Sequence, residues 1–242
     1  MNFGGVEHRG TPYVTYGLIG ISALVFMYEI SLAGVELSSN KLELTRFFYQ
    51  WGLIPSELSH VFSNSEGSFR RDVLDISSPI PTWGTAFSSM FIHAGWMHFL
   101  SNMLFLWVLG DNVEGRFGHV KFLVFYLVAG LAAVGLHTAV NFDSETPLVG
   151  ASGAIYGVAG AYLVLYPRNL LPIVIWFVFP NVQGLGFSST VGGGVAYLAH
   201  VGGFVFGILV TGGFKLVRGE PLWPWRRRNP WDNFPRGYRD YR

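Results

Sequence analysis

Long charge-free apolar blocks, set between short polar ones, constrain this chain more than any other feature. A bilayer core of roughly 30 Å takes about 20 apolar residues in a helix. Tyr13 to Leu32, with Glu29 near one end, Phe122 to Val140, and Val195 to Val217, with Lys215 near its end, each meet that length. Three blocks are shorter: Trp96 to Gly110, Ser152 to Tyr166, and a weak one beginning at Leu170. The pattern predicts an all-α polytopic membrane protein of six spans, with its membrane domain running from 13 to 217. Only 13% of the residues are charged, whereas a soluble domain of this size carries about a quarter. A net charge of +1 gives no ground for a nucleic-acid partner, and nothing resembles a DNA- or RNA-binding module. The absence of cysteine excludes disulfides, thiolate metal sites and a cysteine nucleophile.

Six spans put both termini on one side. The intervening segments on the other side then carry Lys41, Arg46, Arg70 and Arg71, and the remaining twelve of the 16 lysines and arginines fall on the terminal side. That bias makes both termini cytoplasmic. Residues 1–12 read as a polar cytoplasmic N-terminus without a cleavable signal pattern. Residues 33–82 read as a large external loop between the first two spans, mixing apolar pieces ("RFFYQWGLIP") with polar ones, and suited to partial insertion at the interface. Residues 218–242, with "WPWRRR", read as a basic and aromatic juxtamembrane tail. With no transit peptide visible, a prokaryotic plasma membrane is the expected setting.

Polar groups inside a membrane are costly and usually face a cavity or a partner. Four stand out: His98 and Asn102 in the second span, Ser152 in the fourth and His200 in the sixth. His98 and Asn102 are four apart and share a helix face. Gly202, Gly203 and Gly207 on the sixth span, and the glycines of "GASGAIYGVAGAY" on the fourth, let these two helices approach closely. The fourth span, Ser152 to Tyr166, covers only about 22 Å at helical rise. Anchored at its cytoplasmic end, it starts roughly 8 Å below the outer surface. His200, five residues into its span, lies at about the same depth. His98 and Asn102 fall in the outer to middle part of theirs, so residues distant in sequence meet in one layer.

The residue types then suggest a chemistry. A serine hydroxyl becomes a nucleophile when a base takes its proton, and histidine is the usual base. At a helix start, Ser152 has free backbone N–H groups and the positive end of the helix dipole beside it. Both favour an oxyanion, and Asn102 and His98 can add donors. From Thr146 to Gly219 there is no Asp or Glu, so a hydrolase here would use a Ser–His dyad. Other readings remain open at this point: Ser152 as a packing residue, His93, His119 and His137 as structural hydrogen-bonders, or polar groups of a small transporter. A transporter would show inverted repeats, and none is visible. Metal binding by His93, His98 and His200 lacks an accompanying carboxylate at ligand spacing.

At these residues the chain resembles the rhomboid family of intramembrane serine proteases, over roughly Ile80 to Gly213. "GASG" is similar to the family's nucleophile motif, with Ser152 between Gly150 and Gly153, and "AHVGG" to its histidine motif, with His200 as general base and Gly203 following. "HFLSN" matches the HxxxN pattern, so the resemblance makes His98 and Asn102 oxyanion stabilisers together with the Ser152 backbone N–H. "GDNVEGRFG" matches GxxxExxxG, implying structural roles for Gly110, Glu114 and Gly118 in a segment that also holds Arg116. Tyr156 matches the tyrosine that packs on the catalytic histidine, and Gly207 joins the supporting glycines. The family implies a six-helix core, a water-filled cavity open to the outside, and transmembrane-segment substrates cut near their outer end. No metal or organic cofactor is implied, and a member that binds transmembrane clients without cutting them is the alternative. The interval from Pro167 to His200 departs from the pattern, because "LLPIVIWFVFP" has only 11 residues and two prolines. The substrate gate is therefore expected to be short, tilted or broken, with Trp176 and Phe179 as gate residues and 184–194 as a cap or a connection.

Overall fold

The computed structural model describes residues 10–37, 42–58, 76, 78–168 and 197–222. The fifth span, its gate residues, the glycine-rich segment and the tail from residue 223 onward lie outside the described residues. Within them the chain is helical: α1 (Tyr13–Ala33), α2 (Leu42–Trp51), α3 (Thr82–Ser88) with a 3-10 turn at Ser89–Phe91, α4 (Trp96–Phe117), α5 (His119–Val140), α6 (Ser152–Leu165) and α7 (Tyr197–Val217). Among the described residues α1, α5 and α7 are long and apolar enough to cross a membrane, and α4 joins them when taken with the 82–91 segment. That segment, between the expected loop ending at 82 and the expected span from Trp96, meets α4 at a bend of 84°.

Periodicity shows which faces turn inward. Along α1 the buried positions are Thr15, Leu18, Ser22, Phe26, Glu29 and Ala33, spaced three or four apart on one stripe. The polar members Thr15, Ser22 and Glu29 are all fully buried. Leu24 and Met27 on the opposite face are exposed, as are Val120 and Val124 of α5 and Val205 and Leu209 of α7. Apolar side chains turned outward, with polar ones turned inward, are what a lipid solvent selects. The protein is an integral, multi-pass membrane protein.

α6 is the central helix. Gly153 to Tyr162 are all buried, and Ile155, Val158, Ala159 and Tyr162 share a core with Leu106, Leu109 and Val113 of α4 and Phe122, Phe125 and Tyr126 of α5. A helix enclosed all round has no need of a polar face, which is why its 14 residues carry no charge. Against α7 the contact is made by backbone. A Cβ added at Gly203 would run into the carbonyl oxygen of Gly153, and one at Gly207 into that of Gly157. In a membrane such small-residue contacts replace the hydrophobic effect as the source of helix association, because lipid tails are as apolar as leucine.

The end of α4 away from its histidine is fastened by the Gly110–Gly118 segment. Glu114 reaches across to the first turn of α1 and accepts the N–H groups of Val14 (2.9 Å) and Thr15 (2.8 Å) and the Thr15 hydroxyl (2.6 Å). It thus supplies, from another helix, the cap that α1 lacks from its own N-terminal residue Pro12. Its other contact is His119 Nδ1 at 2.5 Å. Gly110 lies against Thr15, whose Oγ1 would be 2.9 Å from an added Cβ. Gly118, at φ +83°, turns the chain from α4 into α5. Arg116 pairs with Glu220, which also accepts from Arg218 at 3.0 Å, tying α4 to the chain after α7. Lys215 donates to the carbonyl of Val164 (3.3 Å) at the C-terminal end of α6, where a cation suits the helix dipole.

Candidate active site

Ser152 is the first residue of α6, and the segment leading to it is clamped on both sides. Leu53 and Leu148 exchange backbone hydrogen bonds of 3.1 and 2.7 Å, and the Gly150 N–H donates to Ser89 at 2.8 Å. The turn into the helix then needs φ +128° at Gly150, a region that a side chain would strain. The first bond of the α6 ladder runs from Ile155 N–H to Ala151 at 3.0 Å. The N–H groups of Ser152, Gly153 and Ala154 therefore have no partner in that ladder, and they give the helix start its positive character.

His200 stands in the first turn of α7, and its Nε2 is 2.9 Å from the Ser152 hydroxyl oxygen. Two ring contacts fix its plane. Tyr156 stacks face to face at 4.1 Å and 8°, and Tyr197 meets it edge-on at 6.3 Å and 88°. The Gly203–Gly153 contact is one turn away from this pair, so the distance that lets the two backbones touch also sets the reach between imidazole and hydroxyl. The other ring nitrogen, Nδ1, is buried and has no partner among the described residues.

His98 lies in the first turn of α4. Its Nε2 is 2.8 Å from where a Cβ of Gly150 would sit, a point itself 3.6 Å from Ser152 Oγ. Glycine at 150 thus serves twice, in the backbone turn and as the space into which His98 projects. The Ala94 N–H donates to His98 Nδ1 at 3.4 Å, which leaves the proton of the neutral ring on Nε2, the side of Ser152. Asn102, one turn further along the same face, is buried, and its amide nitrogen has no partner among the described residues. Glu114 and Arg116 are far from this layer, since Glu114 is 16 residues along the helix from His98, about 24 Å at helical rise. Among the described residues no three His, Asp or Glu side chains gather as a metal site.

Two residues next to the layer carried little weight in the sequence. Glu29 reads there as a carboxylate near the end of a span, and His93 as a structural histidine of a loop. In the fold Glu29 Oε1 accepts the His93 backbone N–H at 3.0 Å, and the His93 ring meets His98 edge-on at 5.2 Å. The signal that marks Glu29 is its charge inside an otherwise uncharged span.

A multi-pass helical membrane protein with a serine–histidine pair at the meeting of two glycine-faced helices is the class that fold and geometry define. The chain belongs to the rhomboid family, whose domain model, the Rhomboid domain, matches residues 81–216. RHOMBOID-like protein 1 of Arabidopsis thaliana is 29% identical over 209 residues, 81% of this chain and 50% of that protein. RHOMBOID-like protein 4 of the same plant is 33% identical over 151 residues, 59% of this chain and 36% of the relative. Rhomboid protease GluP of Bacillus subtilis is 30% identical over 143 residues, 56% of this chain and 27% of the relative. The chain matches half or less of the length of each of these relatives.

Proposed function

We propose that this chain is an intramembrane serine endopeptidase that cleaves transmembrane segments of other membrane proteins near their outer end. The observation that carries the reading is the 2.9 Å approach of His200 Nε2 to Ser152 Oγ at the start of a buried helix. The name of the Bacillus relative, a rhomboid protease, supports it.

In this reading His200 Nε2 takes the hydroxyl proton as Ser152 Oγ attacks the scissile carbonyl carbon. The carbonyl oxygen becomes an oxyanion, received by the Ser152 backbone N–H, His98 Nε2–H and the Asn102 amide. Each such donor contributes about 3–4 kcal/mol to the transition state when it is held in place beforehand. The tetrahedral intermediate collapses with loss of the C–N bond, and the imidazolium returns the proton to the leaving amine. Water then attacks the acyl-enzyme with His200 again as base, and Ser152 regains its proton. With no carboxylate behind Nδ1 among the described residues, Tyr156 takes over the orienting role by stacking.

The substrates we propose are single-span helices that enter the bilayer beside this layer. Both termini lie on the basic side of the membrane, taken as the cytoplasmic face of a prokaryotic plasma membrane. The relatives come from a plant as well as a bacterium, so tags on each terminus, probed by protease in sealed vesicles, test that placement. The test of function is to incubate the purified protein and Ser152→Ala in liposomes with a single-span substrate, and map the products by mass spectrometry. Cleavage by the wild type alone, within the substrate helix, is the expected result. Equal cleavage by both overturns the reading, whereas binding of the substrate without cutting by either favours a client-binding protein.

A further inference from the structure

The bend between α3 and α4 holds His98 through backbone groups, and those groups are held by α1. Consecutive peptide N–H groups in this bend have different acceptors. That of His93 donates to Glu29 Oε1 at 3.0 Å, and that of Ala94 donates to His98 Nδ1 at 3.4 Å. His93 Nδ1 faces the carbonyl of Phe91 at 3.2 Å, so its ring is also fixed from within the bend. The ring packs edge-on against His98 at 5.2 Å and against Phe99 at 5.4 Å. Glu29 and His93 are both fully buried, and Glu29 Oε2 has no partner among the described residues.

A buried carboxylate in a membrane helix is expensive, and one that spends a single oxygen on one peptide N–H needs a reason. A neutral imidazole carries its proton on the nitrogen that is not accepting. While Ala94 N–H points at Nδ1, the Nε2 beside Gly150 is a donor. If the bend turns and that N–H is withdrawn, the proton can move to Nδ1 and Nε2 becomes an acceptor, which repels an oxyanion. We propose that Glu29 is a positioning residue for the same reaction, acting through the His93–Ala94 backbone to keep His98 as the Nε2–H tautomer. The inference rests on the oxyanion role of His98 given above.

The test compares Glu29→Leu, which removes the acceptor, with Glu29→Gln, which keeps one oxygen and replaces the one that has no partner. Nitrogen-15 spectra of the histidine rings in the full chain, in liposomes, report the tautomer directly, with the His98 signals identified by their loss in His98→Ala. Expected are Nε2–H spectra for the wild type and Glu29→Gln, and a shift toward Nδ1–H for Glu29→Leu. In the cleavage assay kcat of Glu29→Leu falls toward that of His98→Ala, on the order of 10²-fold, with KM little changed. Glu29→Leu then adds no further loss in the His98→Ala background. An unchanged tautomer in Glu29→Leu, additive losses in the double variant, or loss of the Nε2–H form in Glu29→Gln overturns the proposal. Where the Leu variant fails to fold, loss of the Nε2–H form in Glu29→Gln still overturns the proposal. A changed tautomer with unchanged kcat upholds the control of His98 by Glu29 and overturns the donor role of His98 instead.

Discussion

Gly203→Ala adds one methyl group at the point where α7 touches α6, and its effect can be worked from the geometry. The new Cβ would fall on the Gly153 carbonyl oxygen, with the Gly153 carbonyl carbon at 3.0 Å and the Gly157 nitrogen at 3.2 Å. All three are backbone atoms, so no side chain can swing aside. Carbon needs about 3.5 Å from such neighbours, and the helices must part by on the order of 1 Å. His200 is one turn from Gly203 and Ser152 is next to Gly153, so the 2.9 Å reach between them opens to about 4 Å, outside hydrogen-bond range. A displacement of that size costs roughly 10²-fold in rate, and overpacking costs about 1–3 kcal/mol of stability. The assay is kcat on a single-span substrate, with thermal unfolding in the same detergent. Gly213→Ala is the control on the same helix, since an added Cβ there meets nothing within 4 Å. A Gly203→Ala protein that cleaves at the wild-type rate would refute the claim that the glycine contact sets the reactive distance.

The remaining predictions concern the donors and the far end of the molecule. Asn102→Ala and His98→Ala each lower kcat by roughly 10²–10³-fold with smaller changes in KM, as loss of an oxyanion donor does, measured by substrate cleavage. Glu114→Ala leaves the first turn of α1 without its cap and lowers unfolding stability by about 1–3 kcal/mol, read by thermal unfolding, although it is far from Ser152. The Arg116 guanidinium holds the Glu220 carboxyl below the usual carboxylate range. A depressed folded value means the pair's contribution is present above the unfolded value and lost as pH falls through the folded one. The stability gap between wild type and Glu220→Gln, about 1 kcal/mol or less for a partly exposed pair, therefore shrinks in acid, read by unfolding midpoints at neutral and low pH.

Legibility in the sequence followed the range of the forces involved. Helices enclosed by lipid announce themselves by length and apolarity, so α1, α5 and α7 lie within two or three residues of the blocks read from sequence. The meeting of the helices that carry Ser152 and His200 was legible because each residue sits among glycines, and small residues on two helices mark the face along which they pack. The 84° bend before α4 was not, because residues 82–91 are a short stretch with no helical repeat long enough to separate from a loop. The Leu53–Leu148 bridge was hidden for a related reason: single backbone hydrogen bonds leave no side-chain pattern. Glu29 and His93 are 64 residues apart, and a bond from a carboxylate to a backbone N–H asks nothing of the side chain at 93. Even the buried polar stripe of Thr15, Ser22 and Glu29 looks, in sequence, like three isolated exceptions within an apolar block.

An active-site-directed fluorophosphonate tests, without knowledge of the substrate, whether His200 activates Ser152 for attack. The measurement is the mass of the peptide bearing Ser152 after treatment of the wild type and His200→Ala in liposomes. Expected is a phosphonyl adduct on Ser152 in the wild type and none in His200→Ala under the same conditions. An adduct that forms equally in both, or one carried by another serine while Ser152 stays unmodified, would contradict that activation.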